Sequence, residues 1–355
     1  MQFESPQLLF PILAFGCAFL ITLVSIPSII QVARLKHLFD EPDDYRKLHK
    51  RVVPTLGGLA IFAGSIISVL LFTDGSEFVS RQYVVAAAMI LFFLGIKDDI
   101  IILSPYSKFL GQFVSAMIIV WAGDIRITTM GGLFGVHELS YELSIGFSIL
   151  TIMVIVNSFN LIDGIDCLAG TIGFIVTSAY AAWFYKAGFI QPLILSMAIM
   201  GSILAFLRYN ITPARIFMGD TGSLLIGTII AVLTLQFINM NHLAAESHRL
   251  QSAPVLAFGI MIIPLFDLMR VFALRLSKGQ SPFMADKLHI HHQLLRLGLT
   301  HLETTFILGL INVIFIVFIF SFQSIAISYL MSIILVVAIL LSVLVSYLVK
   351  RKNNE

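Results

Sequence analysis

Six aspartates, Asp98, Asp99, Asp163, Asp166, Asp220 and Asp286, each stand at or just beyond the end of a long apolar segment. A carboxylate at the margin of hydrocarbon is costly unless it faces water, a partner or a metal. Six of them on one side of a membrane make a cation site of hard oxygen donors, suited to phosphate chemistry. Leu94-Gly95-Ile96-Lys97-Asp98-Asp99 places two adjacent acids about 100° apart on a helix end, so that one can hold a cation while the other meets a second ligand. A charged helix terminus at the interface is the plainer explanation. Asn157-Ser158-Phe159-Asn160-Leu161-Ile162-Asp163-Gly164-Ile165-Asp166 spaces Asn160, Asp163 and Asp166 by threes, which aligns them on one helical face. Gly164 permits a break there, or a close approach of ligand to backbone. One amide and two carboxylates suit a hard cation or the donor edge of a nucleobase.

Two further motifs complete the set. Arg215-Ile216-Phe217-Met218-Gly219-Asp220-Thr221-Gly222-Ser223 sets Asp220 at the start of a span, where backbone N–H groups attract phosphate and Asp220 can hold Mg²⁺. Phe217 offers a face for a base to stack on. A plain N-cap by Asp220 or Thr221 is the bland alternative. Asp286-Lys287-Leu288-His289-Ile290-His291-His292 brings three histidines together without a cysteine or a His-Glu-x-x-His pattern, which argues against catalytic zinc. Histidines beside a basic residue fit diphosphate recognition better. Arg46-Lys47-Leu48-His49-Lys50-Arg51, ahead of Pro54-Thr55-Leu56-Gly57-Gly58, and Lys108 add positive charge that serves either phosphate or anionic lipid.

The elements that must position these residues are membrane helices. The 355 residues are 58% hydrophobic and only 12% charged, with mean hydropathy +0.97; a soluble domain is about half apolar and roughly 25% charged. The fold class expected is all-α: one polytopic transmembrane helix bundle over residues 1–355. With ~20 apolar residues per crossing, eleven spans are predicted, at 8–30, 52–72, 82–97, 109–123, 143–159, 167–185, 189–207, 222–239, 253–274, 303–322 and 325–349. Residues 8–30 are too long for a signal-peptide core and read as the first span. Cys17 and Cys167 are far apart, so neither a disulfide framework nor a Cys metal site is expected.

Seventeen of the 22 Lys and Arg residues fall in one set of connections and the C-terminal tail. That bias makes this set cytoplasmic, with the N-terminus outside and the C-terminus inside. The loops that carry chemistry are then cytoplasmic: about 31–51, 97–108, 157–166, 208–221 and 275–302. Trp121 and Trp183 fall near outer span ends, as interfacial aromatics do.

Taken together, the motifs from about residue 45 to 292 resemble the polyprenyl-phosphate N-acetylhexosamine-1-phosphate transferase family. The His-x-His-His form at His289–His292 is similar to its N-acetylglucosamine branch; the muramoyl-pentapeptide branch has three consecutive histidines, which Ile290 interrupts here. The resemblance implies transfer of N-acetylhexosamine-1-phosphate, N-acetylglucosamine being the first choice, from a UDP-sugar to polyprenyl phosphate in the inner leaflet. UMP leaves, in the first membrane step of cell-envelope polysaccharide synthesis at the bacterial plasma membrane. It implies Mg²⁺, with Mn²⁺ as the alternative metal, held by Asp220, Asp98 and Asn160. It also implies catalytic roles for Asp98, Asp99, Asp163, His289, His291 and His292. Lys108, Lys50 and Lys287 would meet phosphate, and Asn160 and Gly164 the nucleotide–metal cleft. Asp166 and Phe217 would take the uracil. Partners expected are the UDP-sugar, the polyprenyl phosphate and membrane lipid, with no nucleic acid; homodimerisation is left open. Alternatives are a muramoyl-pentapeptide phosphotransferase and, in another class, a cation-coupled transporter. A CDP-alcohol phosphotransferase is disfavoured because Gly170 follows Ala169 where that family has Arg.

Overall fold

The computed structural model describes residues 8–36, 53–76, 78–281 and 288–354. Lys50, Asp286, Lys287 and most of loop 31–51 lie outside the described residues. Apolar runs of helical length fold as helices because lipid offers the backbone no hydrogen bonds. In order these are α1 (Leu9–Leu35), α2 (Gly57–Phe72), α3 (Arg81–Ile100), α4 (Pro105–Met117), α5 (Tyr141–Ile162), α6 (Leu168–Ala187), α7 (Ile190–Asn210), α8 (Gly219–Met240), α9 (Ala253–Ile260), α10 (Ile262–Ser277), α11 (Ile290–Arg296), α12 (His301–Ser321) and α13 (Ile327–Asn354). The chain is thus a largely helical, multi-pass membrane protein. Seven of its described helices are long and apolar enough to cross a membrane, or eight when the bent pair α9–α10 counts as one span. Eleven was expected. Each expected segment meets a helix, but α2 and α4 are short, and α3 carries four charged residues, Arg81, Lys97, Asp98 and Asp99.

Helix α8 is the axis of the bundle, buried on nearly every side, and its side chains are accordingly apolar all round. Buried hydroxyls such as Thr228 and Thr234 donate to the carbonyls four residues back, each at 2.7 Å, which removes the penalty of an unpaired polar group in hydrocarbon. Trp183, expected at an interface, is instead 4% exposed. It packs on Phe184, Phe189 and Phe237 and donates its indole N–H to the His248 carbonyl at 3.2 Å. Burial with a satisfied N–H outweighs the interfacial preference here. Trp121 is exposed.

Two features depart from the all-α, unbroken-span expectation. A hairpin of β1 (Thr129–Leu133) and β2 (Val136–Glu138) precedes α5. Phe134 and Gly135, between the paired Leu133 and Val136, have φ of 51° and 81°, the sign pattern of the two-residue turn that suits strand twist. The expected span 253–274 bends by 64° between α9 and α10. Pro264 explains the break, since it lacks an N–H and crowds the carbonyl four residues earlier, that of Ile260. Fully buried Asn312 of α12 repairs the freed backbone: it donates to the Ile260 carbonyl at 3.0 Å and accepts from the Ile263 N–H at 3.4 Å. The bend swings α10 toward the histidine segment.

Candidate active site

The site begins where α3 meets the N-terminus of α8. A Cβ on Gly95 would overlap the Thr221 backbone, so the bare glycine lets the two helices touch. One turn later Asp99 reaches over the end of α8. Its carboxylate accepts from the Asp220 N–H at 2.7 Å, the Thr221 N–H at 3.1 Å and the Thr221 hydroxyl at 2.5 Å. Asp99 is therefore the cap of α8, supplied from another helix; neither Asp220 nor Thr221 caps it. It satisfies orphan donors and sets negative charge on the positive end of the helix dipole. The N–H groups of residues 220 and 221, which the sequence offered to phosphate, are already taken.

Capping by Asp99 leaves the Asp220 side chain for other work. It accepts from Lys108 Nζ at 2.8 Å and from Asn160 Nδ2 at 3.0 Å. Lys108 also forms an ion pair with Asp98, whose carboxylate accepts the Leu103 N–H at 2.7 Å and so fixes the turn into α4. One ammonium thus stands between two carboxylates from α3 and α8. Lys108 is held there because Gln112, one turn on, pairs with Asn157 of α5 through both amides, at 2.6 and 3.3 Å.

Asn160, Asp163 and Asp166 do not share a continuous helix face. Helix α5 ends at Ile162, Asp163 is its C-cap, and Asp166 lies in the turn before α6. The turn nevertheless brings all three to one cavity. Asp166 accepts the Thr212 hydroxyl at 2.8 Å. The Asp163 carboxylate accepts no hydrogen bond from the described residues. Burial, then the charges of Asp220, Asp99 and Asp166, hold its pKa well above the usual carboxylate range.

Five of the six aspartates, Asp98, Asp99, Asp163, Asp166 and Asp220, line a single polar cavity of about 630 Å³ together with Lys108, Asn160, Gly164 and Phe217. His289, His291 and His292 instead line a second cavity of about 500 Å³, mostly apolar, walled by residues of α4, α5 and α10 such as Phe109, Val154 and Phe272. Lys108, Asn160, Asp163 and Gly164 belong to both. The two chambers meet at these four residues.

The histidines differ from one another. His289 Nδ1 donates to Asp267 Oδ2 at 2.9 Å. Asp267, 2% exposed, also accepts from Arg270 at 2.7 Å and from the Ile290 N–H at 3.1 Å. A buried carboxylate thus fixes the ring and tautomer of His289, as carboxylates do for catalytic imidazoles. His291 stacks on His289. It is 1% exposed, and neither of its ring nitrogens has a partner among the described residues. Burial, then the His292 charge, pushes its pKa down to about 3, so it meets a ligand as a neutral donor and acceptor. A Cβ on Gly164 would lie 2.6 Å from His291 Nε2. Gly164 is bare so that His291 can reach the seam between the chambers. Gly164→Val is expected to lower kcat by about 10²-fold, the usual cost of roughly 1 Å misplacement of a reacting group, while the melting temperature, measured alongside UMP release, stays near wild type.

Asp267 and Arg275 escaped the sequence reading. Both are buried and belong to the bent helix α10, and Arg275 lines the apolar chamber. An acid inside an apolar run was the available signal for Asp267.

The family model described as glycosyl transferase family 4 matches residues 82–238, which contain every site aspartate of α3, α5 and α8. The chain is 35% identical over 310 residues to a probable undecaprenyl-phosphate N-acetylglucosaminyl 1-phosphate transferase of Bacillus subtilis (strain 168), covering 86% of this chain and 82% of that protein. It is 31% identical over 280 residues to a decaprenyl-phosphate N-acetylglucosaminephosphotransferase of Mycobacterium leprae, with 72% and 70% covered. Against an undecaprenyl-phosphate alpha-N-acetylglucosaminyl 1-phosphate transferase of Escherichia coli (strain K12) it is 30% identical over 285 residues, covering 76% and 72%.

Proposed function

The chain belongs to glycosyl transferase family 4, and from that premise we propose that it transfers N-acetylglucosamine-1-phosphate from UDP-N-acetylglucosamine to a polyprenyl phosphate. The observation that carries the reading is the junction of the two chambers. A polar chamber suits a nucleotide-sugar, an apolar one suits an isoprenoid phosphate, and the described residues they share are Lys108, Asn160, Asp163 and Gly164. The anionic ends of both substrates therefore come together at an ammonium, an amide and a carboxylate.

In the reaction, an oxygen of the acceptor phosphate forms a bond to the sugar-bearing phosphorus of the donor. The bond from that phosphorus to the bridging oxygen breaks, and UMP departs with the electron pair. The acceptor needs no general base, because a phosphate monoester with a second pKa of about 6 is already largely ionised at pH 7. Asp98 acts by holding Lys108 at the junction. Neutral His291 donates to an oxygen of the diphosphate or sugar, and His289, its Nδ1–H given to Asp267, offers Nε2 as an acceptor to a sugar hydroxyl. Asp166 and Phe217 receive the uracil. Catalysis is mainly positioning and charge stabilisation, as for phosphoryl transfer generally.

The donor set fits Mg²⁺. All its atoms are hard oxygens, and among the described residues no three His, Cys, Asp or Glu form a closed metal cage. Mg²⁺ does not require one, since it typically takes one or two carboxylates plus substrate phosphates. Asp220 and Asp163, with Asp98 and Asn160 beside them, would hold it, and it would neutralise charge on the diphosphate. Because Asp163 resists ionisation, protons compete with the cation. As pH is lowered, calorimetric Mg²⁺ binding to the protein alone is expected to weaken before the range in which an ordinary aspartate, pKa about 3.9, takes up its proton. Affinity that falls only in that ordinary range would remove Asp163 from the site.

We extend the same reading to topology: eleven crossings, N-terminus out, C-terminus in, and the aspartate end facing the cytoplasm at the bacterial plasma membrane. The Lys and Arg distribution supports it. The test of function is UMP release by detergent-purified protein from UDP-N-acetylglucosamine plus polyprenyl phosphate with Mg²⁺, with mass detection of the lipid product. Release without acceptor would mark a nucleotide-sugar hydrolase instead.

A further inference from the structure

Helix α11 carries the histidine segment, yet it has only seven residues, Ile290–Arg296. A helix shorter than about 12 residues is marginal on its own. The aim of His291 and His292, and of His289 at the N-cap, therefore depends on what holds the helix from outside. Asp267 holds its start, through His289 and the Ile290 N–H. The other supports come from the last helix. Ser342, Ser346, Val349 and Lys352 recur at threes and fours, so they share one face of α13, and the end of α13 packs on α11. Ser346 donates its hydroxyl to Gln293 Oε1 at 3.1 Å. Buried Gln293 donates from Nε2 to the Leu288 carbonyl at 2.9 Å. Because that carbonyl can only accept, the amide nitrogen faces it and the amide oxygen faces Ser346. The same carbonyl accepts from Arg270 at 2.6 Å, and Arg270 pairs with Asp267. A polar chain thus runs from Ser346 through Gln293, Leu288, Arg270 and Asp267 to His289. At the far end of α11, Lys352 Nζ donates to the Leu297 carbonyl at 2.8 Å, just before Gly298 closes the helix with φ of 93°. A cation there offsets the negative end of the helix dipole.

We propose that the C-terminal end of α13 is a strut for the histidine helix. Ser346 and Lys352 are positioning residues: they act through Gln293 and the Leu297 carbonyl to set His289, His291 and His292 against the junction of the chambers. The inference rests on the transferase reading and goes beyond it, because no described residue of α13 lines either chamber. Lys352 counts in the charge bias that orients a membrane protein, and this contact gives it a second task. Each strut contact is a single hydrogen bond at the edge of the bundle, remote from the buried axis α8, so its loss leaves the fold standing. The histidines are less tolerant. A misplacement of roughly 1 Å at reacting groups costs about 10²-fold, so a partial loosening of α11 shows in the rate before it shows in the stability of the whole protein.

The test is the double variant Ser346→Ala/Lys352→Met of the full chain, purified in detergent. Two readouts are taken: hydrogen exchange of the amides of 290–297, and the kinetics of UMP release from UDP-N-acetylglucosamine plus polyprenyl phosphate. Exchange over 290–297 is expected to quicken about tenfold while that of α12 is unchanged, since local opening is read segment by segment. The kcat is expected to fall about tenfold, with KM for the UDP-sugar changed less than about threefold, because alignment and not binding is lost. Ser346→Thr/Lys352→Arg keeps the hydroxyl and the cation and should return both readouts to near wild type. Leu344→Ala, on an exposed face of the same helix, should alter neither. Unchanged exchange over 290–297 in the Ala/Met variant overturns the proposal, since α11 then stands without the strut. Faster exchange with wild-type kcat also overturns it, leaving a contact that is structural only. A fall in kcat that the Thr/Arg pair does not rescue does the same. A wild-type protein that releases no UMP with both substrates present overturns the transferase reading, and this inference with it.

Discussion

Asp220→Ala is expected to lower the rate of UMP release by at least about 10²- to 10³-fold, the cost of removing one preorganised electrostatic group from a polar site, while the protein stays folded. The separation of these two effects follows from the geometry. Asp220 sits in the first turn of α8, where an acid would ordinarily be suspected of capping, but Asp99 does that work from α3. Removing the Asp220 side chain deletes its contacts to Lys108 and Asn160 and leaves the helix end satisfied. Lys108 keeps its pair with Asp98 and moves away from the place where the donor diphosphate must lie. Asp99→Ala should behave differently: it uncaps α8 as well, so thermal stability falls together with turnover, by roughly 1 kcal/mol or more for the cap. Parallel measurement of kcat and melting temperature distinguishes them. Near-wild-type turnover in Asp220→Ala would remove it from the reaction, and a melting temperature as low as that of Asp99→Ala would make it a structural residue.

That contrast also marks how far the sequence could be read. Hydropathy located every long helix, because lipid enforces a single backbone solution on apolar runs. The convergence of the aspartates was legible because a charged residue at a span end needs a reason. Which acid does what was not legible. Asp98 and Asp99 are neighbours in sequence, yet one ties Lys108 and the other caps a helix more than a hundred residues away. Only the approach of α3 and α8 at Gly95 decides between them. The threefold spacing of Asn160, Asp163 and Asp166 suggested one helical face, but the helix ends at Ile162 and the turn carries them to the cavity. The hairpin was missed because its signal, the Phe134-Gly135 pair between two very short strands, is weak beside the hydropathy of the spans. Asp267 was missed for the opposite reason: it is enclosed in an apolar run, where the bend at Pro264 points it at a histidine 22 residues on.

Asp267→Asn is expected to lower kcat on the order of 10²-fold, comparable to His289→Ala, because the carboxylate acts through that ring. Asparagine keeps the shape but not the charge. It presents an amide to His289 Nδ1, which no longer has a carboxylate to hold the N–H on that nitrogen, and a swapped tautomer turns the wrong face of the imidazole to the chamber. The same change leaves Arg270 with less negative charge in a buried setting, and breaking such a pair can cost about 3–5 kcal/mol. Loss of activity alone therefore does not identify the mechanism. Non-additivity does. If Asp267 works through His289, the double variant Asp267→Asn/His289→Ala is no slower than His289→Ala, since contacting residues that act as a unit do not sum. Asp267→Glu, which retains the charge on a longer arm, should recover part of the rate. KM for the UDP-sugar should change less than kcat in each, because the ring aligns the donor for the step in which the phosphorus–oxygen bond breaks. Additive losses, with no rescue by glutamate, would reduce Asp267 to a counter-ion for Arg270 and leave His289 oriented by the stacked His291 alone.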